Sequence, residues 1–157
     1  MRILLAVDGS PFSDLAINEV STRPWPAETE IKIVTALQVP ITPSPEVWTI
    51  SDEYYPALEQ VAREQAQSIV NTAVAKLRET LPQSLSLTGE ALNGPPREVI
   101  LDEADRWNAD LIVMGSHGYG AWQRLLLGSV SQAVVSHANC SVEVVHRRKS
   151  DNDAKAA

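Results

Sequence analysis

Continuous apolar runs alternate with amphipathic segments of helix length along this chain, and this alternation most limits the fold it can adopt. Two runs are especially clear: Ile3–Val7, which Asp8 ends, and Leu111–Met114, which Gly115 ends. Short, uninterrupted apolar runs bounded by turn residues are typical of strands buried on both faces. When such strands alternate with helices, they form a parallel sheet that helices cover on both sides. The pattern therefore predicts an α/β fold.

The full reading gives the order β-α-β-α-β-α-β-α-β in one domain. The predicted strands are Arg2–Val7, Ile31–Val39, Leu85–Leu92, Asp110–Met114 and Ser141–His146. The first predicted helix follows Ser10-Pro11, with Ser10 as its cap, and the second covers Leu58–Leu81. The third follows Gly94-Pro95-Pro96, and the fourth covers Ser129–His137. Between the second strand and the second helix, the Pro-rich stretch from Pro40 to Tyr55 predicts a long surface loop.

Helical periodicity predicts which residues of the first two helices face the core. On the first helix these are Phe12, Leu15, Ala16, Glu19 and Val20. On the long second helix they are Leu58, Val61, Ala62, Ala66, Ile69, Ala73, Leu77 and Leu81.

Composition and charge exclude several classes of protein. The chain has 13 Lys and Arg against 20 Asp and Glu, a formal charge of −7, so it lacks the positive surface that nucleic-acid binding requires. Its single cysteine, Cys140, excludes an internal disulfide and a Cys-based zinc site. No apolar run approaches a membrane span or a signal-peptide core. We therefore expect a cytoplasmic protein that binds neither nucleic acid nor membrane.

The loop after the fourth predicted strand contains the most distinctive residues. Ligands of open α/β sheets bind beyond the carboxyl ends of the strands, where the strand order reverses. This loop is rich in glycine, and Gly128-Ser129 begins a helix whose first N–H groups lack intrahelical partners, as in a phosphate site. A flexible loop with an ordinary serine cap explains these features equally well. The P-loop motif is absent, and Gln123 replaces the third glycine of a dinucleotide fingerprint.

At this point the residues resemble a known family, the universal stress proteins, and specifically their ATP-binding branch. The segments that carry the resemblance are Arg2–Ser10, Asn108–Ser116, His137–Val142 and the spacing Gly115-x2-Gly118-x9-Gly128-Ser129, which matches the family motif G-x2-G-x9-G-[ST]. The likeness covers residues 1–148, which we interpret as one universal stress protein domain. Residues 149–157 are interpreted as a flexible C-terminal tail.

The resemblance implies a Rossmann-like five-stranded parallel sheet of order 3-2-1-4-5 that binds an adenine nucleotide. It implies ATP, AMP or ADP as ligand, with Mg²⁺ or Mn²⁺ accompanying the triphosphate. Asp8 would lie near the ribose or a phosphate-bound metal, and Leu37, or a residue one position away, would contact adenine. The positions implied along the ribose and phosphates are Met114, Gly115 and Gly118, and those implied for the phosphate cradle are Gly128, Ser129, Val130 and Ser131.

The implied function is a nucleotide-dependent regulatory module of the stress response, with an unknown regulatory partner and at most slow ATP hydrolysis. The resemblance also implies a homodimer through Ser141–His146, although Glu143 would be costly there if fully buried. Two alternatives stay open: a slow metal-dependent ATPase or phosphotransferase, with Arg124 the one arginine in the motif, and a structural dimer that binds no nucleotide. His117 lies between the motif glycines, either near a phosphate or as an exposed loop residue.

Overall fold

The computed structural model describes residues 1–38, 54–118 and 127–146 and confirms the predicted alternation of strands and helices. The elements are β1 (Arg2–Ala6), α1 (Pro11–Thr22), β2 (Glu30–Leu37), α2 (Tyr54–Thr80), β3 (Ser86–Asn93), α3 (Pro96–Trp107), β4 (Leu111–Gly115), α4 (Ser129–His137) and β5 (Ser141–Val145). The predicted start of α1 is also confirmed, since Ser10 Oγ accepts a hydrogen bond from the Ser13 N–H and Pro11 begins the helix.

The five strands form one parallel sheet in the order β3-β2-β1-β4-β5, as the resemblance implies. The first strand lies at the centre, where Ala6 is in register with Val34 of β2 on one side and Met114 of β4 on the other. The connection leaves β1 towards β2 and returns later to β4, so the strand order reverses between β1 and β4. The carboxyl ends of these two strands therefore flank the position where ligands of such sheets bind.

Both faces of the sheet are buried, because successive strand residues point to opposite sides and helices cover each side. One cluster joins β-strand residues to α1 and α2 and includes Ile3, Leu5, Ile33, Val113, Val20 and Leu77. The other joins them to α3 and α4 and includes Leu4, Ala6, Val34, Ile112, Ile100 and Val134. The continuous apolar runs of the sequence arise from this two-sided burial.

The predicted core faces of the first two helices are partly wrong. On α1 the buried residues are Ser13, Ala16, Ile17 and Val20, whereas the predicted Phe12, Leu15 and Glu19 are half-buried. A serine can occupy this face because the Ser13 hydroxyl donates a hydrogen bond to the Ser10 carbonyl. On α2 the predicted Val61 is 62% exposed, while Val70, which was not predicted, is buried. Along α2 the buried stripe begins only at Ala66.

The beginning of α2 also differs from the expectation. Tyr54 and Tyr55 belong to this helix and not to the predicted loop, and Pro56 is accommodated in its first turn, where no intrahelical N–H bond is required. The remainder of the predicted loop, from Pro40 to residue 53, lies outside the described residues, as does Val39 of the second predicted strand. Within the described part of the chain, no helix has the length and apolar character needed to cross a membrane.

Candidate functional site

A cavity of about 520 Å³ opens at the carboxyl ends of the central strands. Its volume lies within the usual range for small-molecule sites. The lining combines residues from the ends of β1, β2 and β4 and from the starts of α1, α3 and α4: Ala6, Val7, Asp8, Ser13, Val34, Thr35, Ala36, Pro96, Ile100, Met114, Gly115, His117, Gly118, Gly128, Ser129, Val130 and Ser131. All of the residues predicted for the site except Leu37 are in this lining.

The two loops that the sequence analysis singled out meet in the cavity. A Cβ atom placed on Gly118 would lie 2.8 Å from Asp8 Oδ2, so the glycine and the carboxylate are in direct contact. The Asp8 side chain is held by its own turn, in which Asp8 Oδ1 accepts a hydrogen bond of 2.9 Å from the Ser10 N–H. Gly9 permits this turn with a φ of 77°, a left-handed conformation that favours glycine. The carboxylate is thereby presented to the loop that follows β4.

The start of α4 forms another wall of the cavity. The Gly128 N–H donates to the Ser116 carbonyl at 2.8 Å, and the Ser131 hydroxyl lies within hydrogen-bond distance of the Ser116 and Gly128 carbonyls, at 2.9 and 3.0 Å. Gly128 is the N-cap residue and supplies no side-chain cap. Among the described residues, no N-cap side chain therefore covers the first N–H groups of the helix, which lie at the cavity with the positive end of the helix dipole, and this arrangement favours an anion.

Leu37, the residue predicted to contact adenine, is not in the cavity lining, whereas its neighbour Ala36 is. Leu37 is 4% exposed, and its carbonyl accepts a hydrogen bond from the Gly94 N–H. It has the same strand parity as Ile33, which packs on the α2 side of the sheet, whereas Ala36 has the parity of Val34 on the cavity side.

The apolar wall also contains residues that the sequence analysis missed. Pro96 and Ile100 project from the first turns of α3, and with Val34, Ala36 and Met114 they form an apolar surface. The sequence placed the start of this helix at Gly94-Pro95-Pro96, but only the tertiary structure brings α3 against β2 and α4. A flat apolar ligand such as a purine ring suits this wall.

The glycine at position 115 has a second explanation. A Cβ atom there would lie 2.7 Å from both the carbonyl carbon and the carbonyl oxygen of Phe12. The first turn of α1 therefore packs directly on the end of β4, and this contact alone requires a glycine. The sequence analysis assigned Gly115 only to the ligand, since a glycine motif does not reveal which neighbour approaches the backbone.

The electrostatic character of the site depends on few groups. Among the lining residues that the structure describes, the ionisable side chains are Asp8 and His117, and none is Lys or Arg. Arg124 lies outside the described residues. The described residues also contain no cluster of three or more His, Cys, Asp or Glu that could hold a metal ion. Asp8 fits a divalent cation only as one ligand among several, as for Mg²⁺ held by one carboxylate together with substrate phosphates.

Glu143, which would be costly if it were fully buried, lies on the edge strand β5. Glu143 is half-buried, and its two carboxylate oxygens accept hydrogen bonds from the two terminal nitrogens of Arg23, each at 2.7 Å. The hydrogen bonds to Glu143, which have the larger effect, and to Glu19 raise the pKa of Arg23 above its ordinary value. The guanidinium also lies 5.1 Å from the centre of the Trp25 ring. Glu143 is therefore paired within the chain, on the α1 side of the sheet.

Comparison with known proteins places this chain in a family. The sequence model of the Universal stress protein family matches residues 1–146. The chain is 29% identical over 150 residues to Universal stress protein MJ0531 of Methanocaldococcus jannaschii, covering 96% of this chain and 84% of the relative. It is 31% identical over 152 residues to Universal stress protein Rv2005c of Mycobacterium tuberculosis, covering 92% of this chain but 47% of that longer relative.

Solved structures show the same fold. The structure of the hypothetical protein MJ0577 has a TM-score of 0.78 and 25% identity, with 95% of this chain and 97% of that chain covered. A universal stress protein in complex with cAMP has a TM-score of 0.64 at 22% identity, covering 94% and 98% of the two chains. An Arabidopsis thaliana family protein with AMP bound has a TM-score of 0.61 at 20% identity, covering 98% of each. The protein described here is an α/β protein with a cavity at the switch point of its sheet. It belongs to the universal stress protein family.

Proposed function

We propose that the protein binds an adenine nucleotide in this cavity and acts in the cytoplasm as a nucleotide-dependent regulatory module of the stress response. The observation that carries the proposal is the contact between Asp8 and Gly118 beside the uncapped start of α4. This contact puts a carboxylate, a close backbone approach and an anion-binding helix end around one cavity. The AMP and cAMP bound by two proteins of the same fold support this choice of ligand.

The cavity suggests how the ligand would be oriented. The adenine ring would lie on the apolar wall near Ala36 and Ile100, and the phosphates would face Gly128 and the first N–H groups of α4. Asp8 would accept a hydrogen bond from a ribose hydroxyl or contribute to a metal held by the phosphates. Met114 and Gly118 would lie along the ribose between these two ends.

The charge of the lining favours a metal when the ligand is a triphosphate. ATP would place several negative charges near Asp8, and the described lining offers no lysine or arginine to offset them. We therefore propose that ATP binds together with Mg²⁺ or Mn²⁺, which bridges phosphate oxygens and the carboxylate. AMP carries less charge and should bind without added metal. Titration calorimetry with and without EDTA measures this difference.

Hydrolysis of ATP should be slow at most. Rapid hydrolysis requires a group that orients water and a cation that stabilises the transition state. In the described lining the ionisable side chains are limited to Asp8 and His117. Chromatography of ATP incubated with the protein, with Asp8→Ala as control, measures turnover. Rapid hydrolysis by the wild type alone would instead support a metal-dependent ATPase or phosphotransferase.

We also propose that the protein forms a homodimer by pairing the β5 strands of two copies. Among the described strands, β5 is an edge of the sheet and pairs with β4 alone, and Val142 and Val144 are only half-buried in one chain. An edge strand with unpaired backbone groups can be extended by a second strand. The internal pairing of Glu143 with Arg23 removes the cost of an unpaired charge there. Sedimentation velocity should give twice the chain mass of 17.1 kDa.

The central test of nucleotide binding uses protein purified gently and then stripped of ligand. Mass spectrometry identifies any nucleotide released on denaturation, and calorimetry measures the affinity of the stripped protein for AMP and ATP. Gly118→Val and Gly128→Val should both abolish binding, because each side chain would extend into the cavity from a position where even a Cβ is crowded. Absence of released nucleotide and of binding heat in the wild type would favour a structural dimer.

A further inference from the structure

A buried ion pair joins β2 to α3, two elements that supply the apolar wall of the cavity. Lys32 Nζ donates a hydrogen bond of 2.6 Å to Glu103 Oε1 and lies 2.7 Å from Glu90 Oε2. The side chain of Glu103 is 3% exposed and that of Lys32 is 14% exposed. Arg106 Nε donates a hydrogen bond of 2.8 Å to Glu103 Oε2. Both oxygens of the buried carboxylate are therefore paired.

The ion pair is adjacent to the cavity wall along both elements. Lys32 and Val34 are two residues apart on one face of β2, and Val34 lines the cavity. Ile100 and Glu103 are buried and three residues apart on α3, and Ile100 lines the cavity. These steps span about 6.6 Å along a strand and about 4.5 Å along a helix. The helix thus runs against β2, from Pro96 at the cavity to Glu103 at Lys32.

This pair is better suited to setting a distance than to stabilising the fold. Hydrogen bonds between charged groups are short and directional, whereas apolar side chains repack around a changed spacing at small cost. Replacing both members of a buried ion pair by apolar residues is often neutral for stability, because the cost of removing two charges from water offsets their attraction. What such a replacement does remove is the fixed geometry between the two elements.

We propose that Lys32 and Glu103 are positioning residues, which hold Pro96 and Ile100 at the distance from β2 that the base of the bound nucleotide requires. This inference rests on the proposed function, because it concerns the wall on which the adenine ring would lie. It assigns the ion pair to recognition of the base. The ribose and phosphates would lie against Asp8 and the start of α4, so their binding should not depend on the pair.

A double substitution removes the ion pair without leaving a buried charge. Lys32→Met/Glu103→Met keeps two unbranched side chains, and the released Glu90 and Arg106 are 45% and 66% exposed and can be hydrated. Competition with a fluorescent AMP analogue measures the affinity for AMP and for ribose 5-phosphate, which lacks the base. Thermal unfolding of each variant measures its stability.

The double variant should bind AMP about tenfold more weakly than the wild type and ribose 5-phosphate about equally, because only the base contacts the displaced wall. Its unfolding temperature should equal or exceed that of the wild type. Glu103→Gln keeps an oxygen acceptor for Lys32 and should retain most of the AMP affinity. The matched control is Glu59→Met/Arg63→Met, which removes an exposed ion pair of α2 and should change neither affinity.

Unchanged AMP affinity in the double variant would overturn the proposal. Equal losses for AMP and ribose 5-phosphate, or a loss for AMP accompanied by a lower unfolding temperature, would indicate a merely structural role and also overturn it. If the wild type binds ribose 5-phosphate as tightly as AMP, the base wall contributes nothing and the inference fails, while the phosphate end of the cavity stands. If the wild type binds neither ligand, the proposed function itself fails.

Discussion

Gly118 and Asp8 lie in direct contact across the switch point of the sheet, with 2.8 Å between a Cβ built on the glycine and the carboxylate oxygen Oδ2. These residues are 110 positions apart and come from the loops that follow two neighbouring strands, β1 and β4. Because the Asp8 carboxylate occupies this space, position 118 can accept a larger side chain only if that carboxylate moves. It also distinguishes this glycine from Gly115, whose close neighbour is the backbone of Phe12.

Substitution of these two glycines by alanine should therefore affect different properties, ligand affinity for Gly118 and folding stability for Gly115. In Gly118→Ala the new methyl group meets the end of a flexible side chain, so Asp8 moves and nucleotide affinity falls roughly tenfold, with little change in unfolding free energy. In Gly115→Ala it meets rigid backbone, and the protein should lose about 1–3 kcal/mol of stability. Urea unfolding and calorimetry on both variants separate the effects. A large loss of stability in Gly118→Ala would contradict the assignment.

The Ser131 hydroxyl should stabilise the start of α4. It is buried and lies within hydrogen-bond distance of the carbonyls of Ser116 and Gly128. Ser131→Ala should cost about 1–2 kcal/mol of unfolding free energy, because these carbonyls lose a buried donor. It should also weaken nucleotide binding. Ser136→Ala is the matched control, since Ser136 is exposed on the same helix and its hydroxyl donates to the Gln132 carbonyl within that helix. Equal losses in the two variants would show that the loop does not depend on Ser131.

The ion pair between Arg23 and Glu143 should anchor the edge strand to α1. Because both side chains are partly exposed, we expect Arg23→Met to cost only roughly 1 kcal/mol. Arg23→Lys should not restore this stability, since an ammonium group cannot donate to both carboxylate oxygens in the same geometry. The comparison is Arg63→Met, which removes a more exposed pair with Glu59. Urea unfolding of the three variants tests the expectation, and full recovery by lysine would contradict it.

A buried carboxylate on α3 gives the stability an acid dependence. Glu103 is 3% exposed and binds Lys32 Nζ at 2.6 Å, and it also pairs with Arg106. Burial opposes ionisation of Glu103, but the hydrogen bonds from Lys32 and Arg106 outweigh it, and the pKa of Glu103 is lower than its ordinary value. Burial likewise opposes the charge of Lys32, yet its bonds to Glu103 and Glu90 raise its pKa.

The sign of this dependence follows from the two shifts. Because the pKa of Glu103 is lower in the folded chain than in the unfolded one, its contribution is complete at neutral pH. It is lost as the pH falls below about 4.3 and through the lower folded value. The contribution of Lys32 is lost only at alkaline pH, above about 10.4. Glu103→Gln should flatten the fall of unfolding free energy in acid, whereas Glu98→Gln, an exposed change on the same helix, should leave it unchanged. Identical acid profiles for Glu103→Gln and wild type would contradict this account.

Much of the fold was predictable because it depends on local pattern. Two-sided burial of strands produces apolar runs, and Ser10-Pro11 forms a helix start from neighbouring atoms alone. The helix faces were less predictable. Ser13 is buried through a bond to the Ser10 carbonyl, and Val61 lies on a part of α2 ahead of its buried stripe. Both depend on how far a helix is covered by its neighbours, which periodicity does not contain.

The sequence by itself determined the order of elements, the two loops that bear the glycines and Asp8, and, through its resemblance, the family and sheet order. Only the tertiary structure decided which atoms meet. It assigned Gly115 to Phe12 and Gly118 to Asp8, put Ala36 and not Leu37 in the cavity lining, and added Pro96 and Ile100 to the wall. The physical reason is that a motif records which residues tolerate a close approach. The neighbour that approaches is set by strand parity and sheet order, which join residues far apart in the chain.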